Sequence, residues 1–135
     1  MKKIIFIIIS LILIGGLAGT YFYFKPTASL EDQPPVAILT ADSIFSAFET
    51  NEAAANLSYL DKVVEISGKV QAMTTDTSGT AISLETSSGM FGVTCKLEAN
   101  SKVAANYKTG QQVRLKGICT GYLMDVVLIR CVPAN

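Results

Sequence analysis

The chain has 135 residues, with 11 lysines and arginines set against 11 aspartates and glutamates and half of its residues hydrophobic. It contains no histidine and no tryptophan, which removes the commonest general base and metal ligand and weakens the case for a stacking platform. The even charge supplies no cationic excess of the kind that holds nucleic acid through phosphate contacts.

The first predicted element is an uncharged stretch from Ile4 to Phe24, bounded by Lys2-Lys3 and Lys25-Pro26. About 21 residues at ~1.5 Å each make a helix of ~31 Å, the thickness of a bilayer core. Tyr21, Phe22, Tyr23 and Phe24 suit the membrane–water interface, and Lys2 and Lys3 favour a cytoplasmic N-terminus. Residues 1–24 are therefore expected to be a transmembrane signal-anchor, giving a single-pass protein whose remainder lies in the periplasm or outside the cell. Two alternatives stand beside it. A cleaved signal peptide could end near Gly16-Leu17-Ala18, and Leu17-Ala18-Gly19 resembles the start of a lipoprotein signal, with Thr20 where the lipidated cysteine belongs.

Removing Lys2 and Lys3 leaves 9 basic against 11 acidic residues in the exported part. Residues 25–39, with Pro26, Pro34 and Pro35, read as an extended linker. A single domain over 40–135 follows. Thr40 or Asp42 can cap a helix in which Ile44, Phe45, Phe48 and Ala55 recur at helical spacing, to about Asn56.

From Val63 the period changes to two. Val64, Ile66, Gly68 and Val70 share one face of a first strand. Met73 to Gly79 reads as a polar loop. Ile82 and Leu84 mark a second strand, and Phe91, Val93, Cys95 and Leu97 a third. Residues 98–108 read as a short helix. Val113, Leu115, Gly117 and Cys119 make a fourth strand, Gly121-Tyr122 a turn, and Met124 to Val132 a fifth.

Three strands, a helix and a hairpin are the order of an OB-fold. The expected fold is thus mainly β: a five-stranded Greek-key barrel with a preceding helix and a short helix between its third and fourth strands. Gly68 and Gly117 within strands suit the bends of so small a barrel.

Two blocks of residues resemble a known family. One is Asn51-Glu52-x-Ala54-Ala55, continuing to Tyr59-x-x-Lys62-x-Val64-x-Ile66-x-Gly68-x-Val70. The other runs from Gly110-x-x-Val113-x-Leu115-Lys116-Gly117-Ile118-Cys119-x-Gly121 to Asp125-Val126-Val127-Leu128-x-x-Cys131. They resemble the tRNA_anti-like family of bacterial OB-fold lipoproteins over roughly residues 40–132. The resemblance implies a barrel and a name drawn from anticodon-binding domains, without implying tRNA binding; Thr20 departs from the lipoprotein pattern.

The three cysteines are spaced unlike a zinc site and form no Cys-x-x-Cys pair. In the barrel topology Cys95 and Cys131 fall on neighbouring strands, both facing inward, and are the preferred disulfide if one forms; three buried thiols are the alternative. Asp125 could meet a ligand at the barrel mouth or hold a turn by accepting backbone N–H bonds. An OB-fold binds through its second and third strands and the flanking loops. That location gives Thr74, Thr75, Asp76, Ser83, Met90, Thr94, Lys96 and Tyr122, with Glu85 beside them, as the expected ligand-contacting positions.

No Walker loop, nucleophile elbow or dinucleotide fingerprint is present, so an enzyme, a metal and a cofactor are not expected. The expected function is a membrane-tethered binding module for a protein or envelope ligand, with oligonucleotide binding the alternative.

Overall fold

The computed structural model describes residues 2–23, 29–98 and 106–134. Helix α1 spans Lys2–Tyr23. Among the described residues no helix is both long and apolar enough to cross a membrane. The span expected from Ile4 to Phe24 also counts Ile4, Ile5, Phe6, Ile8, Ile9, Phe22 and Phe24, whose side chains lie outside the described residues.

The expected linker is mostly part of the fold. Ser29 accepts the Glu31 N–H to cap a 3-10 turn at Leu30–Asp32, and Leu30 is fully buried. The Lys116 ammonium clamps this turn by donating to the Glu31 and Gln33 carbonyls, both at 3.0 Å. Strand β1 (Ala37–Thr40) follows and pairs in parallel with β2 (Val63–Asp76), Ala37 opposite Val64 and Thr40 opposite Ser67. Of the linker, only residues 25–28 are left, and they lie outside the described residues.

Helix α2 (Ala41–Thr50) starts where its cap predicts, the Thr40 hydroxyl accepting the Ser43 N–H at 3.1 Å. The expected single helix is two. Asn51 donates its own N–H to Ala47 while its side chain accepts from Ala54, so it ends α2 and opens α3 (Glu52–Tyr59). Asparagine does this because its short amide competes with the helical backbone. Ile44, Phe45, Phe48 and Ala55 are all buried, as their spacing predicts.

The remaining strands are β3 (Gly79–Leu84), β4 (Val93–Leu97), β5 (Gln112–Leu123) and β6 (Asp125–Pro133). β2 pairs with β3, β3 with β4, β4 with β6, β6 with β5, and β5 returns to β2. The circuit is a closed five-stranded barrel consistent with an OB-fold, with β1 laid against β2. The polar loop expected at 73–79 is instead strand: β2 runs to Asp76, and only Thr77-Ser78 turn the chain into β3. Threonine is a good strand former, and here it coats an exposed hairpin. The short helix expected at 98–108 falls largely on residues outside the described ones.

The core holds Val64, Ile66, Ile82, Leu84, Val93, Leu115, Val126 and Leu128, with α2 laid across one end. Gly117 is fixed by contact more than by bending. A Cβ there would meet the Cys131 Sγ at 2.5 Å and the Ile129 carbonyl at 3.2 Å. Gly117→Ala should therefore destabilise by about 1–3 kcal/mol through overpacking. Combined with Cys131→Ala, chemical denaturation should show a smaller loss than the sum of the single variants.

Candidate functional site

The outer face of β2, β3 and β4 gathers most of the expected contact residues. Thr74 lies opposite Ala81, which lies opposite Lys96; Ser83 lies opposite Thr94. With Asp76 these form one polar face. Beside it a small cavity of about 50 Å³ is lined by Asp76, Ser78, Thr80 and Lys96. The Asp76 carboxyl is held below the usual aspartate range, first by the Ser78 hydroxyl and then by the Ser78 N–H, with Lys96 adding charge.

Three expected residues are elsewhere. Thr75 points to the opposite face, its hydroxyl 3.1 Å from that of Thr80. Tyr122 is not in an exposed turn. Its ring stacks on Phe48, with centroids 5.9 Å apart, and meets Phe45 edge-on. Strand β5 continues through Gly121 and Tyr122 to Leu123, so the tyrosine joins β5 to α2 instead of facing a ligand. Met90 sits at the far end of the barrel from the 77–78 hairpin, in the loop between β3 and β4.

That loop forms a second surface, for which only Met90 was expected. Thr86 is buried, and its hydroxyl and that of Ser88 both donate to the Phe91 carbonyl. The Ser87 N–H donates to Asp42 at the start of α2, at 2.6 Å. At the loop's other end the Gly92 N–H donates to Asp125 at 2.8 Å, and the Val126 N–H returns a bond to the Gly92 carbonyl. Asp125 thus accepts a backbone N–H bond, but from Gly92 just before β4 and not within its own turn. The Thr94 hydroxyl adds a longer bond to its second oxygen.

These bonds hold two loop tips side by side. Met90 is 79% exposed and Phe91 38%; across the junction Leu123 is 87% and Met124 61%. Met124 turns the chain with φ +72°, a conformation that glycine or asparagine adopts at less cost. A strained apolar residue held in the open is more often kept for binding than for folding. The sequence carried the signal as Leu123-Met124, two large apolar residues at a reversal. The Gly121-Tyr122 pair drew the expected turn away from it.

A polar cleft of about 390 Å³ lies between α2 and the β3–β4 loop, lined by Thr40, Asp42, Ser67, Lys69, Glu85 and Gln112. The Lys69–Glu85 pair within it, at 3.6 Å, leaves little net charge. Among the described residues the other cations are largely engaged as well. Arg114 binds Glu65, Arg130 binds Glu98 at 3.5 Å, and Lys62 and Lys116 donate to carbonyls. The described residues hold no cluster of three or more histidine, cysteine or acidic groups that could hold a metal.

The cysteines expected to pair are brought together, as thiols. Cys95 and Cys131 are buried and free, with a hydrogen bond between their sulfurs. That bond, with burial, pushes the Cys131 thiol well up. Burial raises Cys119, which accepts from the Gly121 N–H.

Residues 1–132 match the tRNA_anti-like family. The chain belongs to that family. The tRNA_anti-like assignment covers both the barrel and the N-terminal helix. Among solved structures, the barrel is similar to the crystal structure of a "putative nucleic acid-binding lipoprotein" from Klebsiella pneumoniae subsp. pneumoniae. The TM-score is 0.59 at 15% identity, over 72% of this chain and 91% of that one. At that identity the likeness is one of fold. No curated protein matches this tRNA_anti-like chain.

Two outcomes follow from the loop bonds. Asp125→Ala should speed amide exchange at Gly92 and cost about 1–2 kcal/mol, the worth of a lost partner for a buried donor. Ser78→Ala should raise the Asp76 pKa toward the ordinary value, read from its carboxyl shift in an NMR pH titration. Because the folded value is depressed, the carboxylate's contribution is present above the unfolded pKa and lost as pH falls through the folded one.

Proposed function

We propose that this chain is a non-enzymatic binding module, tethered by its N-terminal helix with the barrel outside the cytoplasm, that takes a protein partner of the cell envelope on the surface formed by Met90, Phe91, Leu123 and Met124. The observation that carries this reading is the pair of hydrogen-bonded loop tips, which present four large apolar side chains from a rigid base. Exposed apolar clusters of this kind mark protein contacts. The absence of a basic stripe among the described residues supports a protein over a polyanion. The apolar stretch from Ile4 to Phe24 supports the tether.

The second reading is oligonucleotide binding on the face of Thr74, Ser83, Thr94 and Lys96. It is favoured by the polar character of that face and by the description of the Klebsiella protein, and it is weakened by the even charge.

Photo-crosslinking from position 123 in native membranes tests the first reading. A single protein adduct is expected at 123 and none at 94. Met124→Asp should weaken that interaction by about 2 kcal/mol, roughly thirtyfold. An adduct unaffected by Met124→Asp would overturn the apolar surface. Salt-sensitive NMR shifts at Thr74, Ser83, Thr94 and Lys96 on adding single-stranded RNA or DNA would put the second reading in its place.

A further inference from the structure

We propose that Met90 and Met124 are an oxidation site, at which a peroxide converts both thioethers to sulfoxides and so switches the apolar surface off. The observation behind it is how the chain sorts its sulfur. Cys95, Cys119 and Cys131 are 0% exposed, sealed inside the barrel. Met73 is half-buried and packs against the core. Met90 and Met124 are 79% and 61% exposed, on the two loop tips that the Gly92–Asp125 bond holds together. Thiolates are ordinarily the groups that oxidants attack first. Here burial keeps the thiols out of reach, so among the described sulfurs a dissolved peroxide meets the two surface thioethers first.

The step balances between the two reactants. The sulfur lone pair attacks one peroxide oxygen as the O–O bond breaks, and the proton on that oxygen passes to the departing hydroxide or alkoxide. Sulfur is oxidised by two electrons, and the rest of the peroxide leaves as water or an alcohol. A sulfoxide is polar and chiral where the thioether was apolar. At Met73 that change would strike the core. Met90 and Met124 stand outside the core, so the fold survives while two of the four apolar tip residues become hydrated. A bound partner would cover both sulfurs, so oxidation falls on the free form and keeps it from binding. The effect on a partner rests on the contact reading proposed above; the selective oxidation does not.

The test has two arms. In the first, the full chain in detergent micelles is treated with dilute hydrogen peroxide, quenched with catalase and digested with trypsin. Peptide 117–130 carries Met124, and peptide 70–96 carries both Met73 and Met90, which fragmentation separates. One added oxygen is expected at Met90 and at Met124 while Met73 and the three cysteines stay unmodified and the circular dichroism is unchanged. Oxidation of Met73 or of a cysteine ahead of Met90 and Met124 would overturn the proposal.

In the second arm, membranes carrying the crosslinker at position 123 are dissolved in mild detergent and diluted until adduct yield follows affinity. Peroxide should then cut the adduct about tenfold, the share of affinity that one buried methionine side chain supplies. The double variant Met90→Leu with Met124→Leu keeps an apolar surface that peroxide does not oxidise, and its adduct should survive the same treatment. An adduct that persists with both methionines oxidised, or that the double variant loses equally, would overturn the switch. No adduct before peroxide would remove the protein-partner reading, and the switch with it.

Discussion

The seam between β2 and β5 is the constraint on which the molecule depends. Val63 through Lys69 run antiparallel to Ile118 through Gln112, seven consecutive pairs that turn an open sheet into a ring. Without the seam, both strands would present unpaired edges, and the inward residues of five strands would face no common interior. Closure is also why one glycine cannot be spared. At Gly117, opposite Val64 near one end of the seam, β6 packs so closely that its cysteine sulfur occupies the space of a side chain.

Closure has a second effect at the ends of the barrel. Helix α2 lays Ile44, Phe45 and Phe48 over one end, where Tyr122 and Tyr59 meet them. The chain reversals beside that end are tied to α2 through Asp42 and to each other through Asp125. Side chains at those reversals have nowhere to bury themselves, because the interior is already full. Met90, Leu123 and Met124 stand outward as a result, on loops that the same packing makes rigid.

Much of this was legible in the residues. The helical spacing of Ile44, Phe45 and Phe48 and the alternation through Val64 to Val70 and Val113 to Cys119 gave the elements and their order, because each pattern records a buried face. The misses share one cause: they depend on partners far along the chain. β1 is short, follows Pro34-Pro35 and exists by pairing with β2. Leu30 looked like linker because the site that buries it is built from β5 and β6. The bulge at Arg130, where β6 gains a residue against β4, leaves no mark in an alternation it interrupts only once. Of the candidate surface, the polar face was placed from topology. The apolar tips were missed because Gly121-Tyr122 had the better turn chemistry, whereas Gly121 lies within β5 and takes φ +119° there.

Leu30 has a consequence for where the barrel can work. Between Tyr23, the last described residue of α1, and Ser29 there are only six peptide units, which cannot extend beyond about 21 Å. With α1 in a bilayer, as proposed, the barrel rides on a leash shorter than its own width and sweeps a thin layer above the lipid. A partner resident in the same membrane would meet it at a high effective concentration, so even a weak contact would be occupied. A partner anchored on the far side of a wide compartment would be out of range, however well its surface fitted.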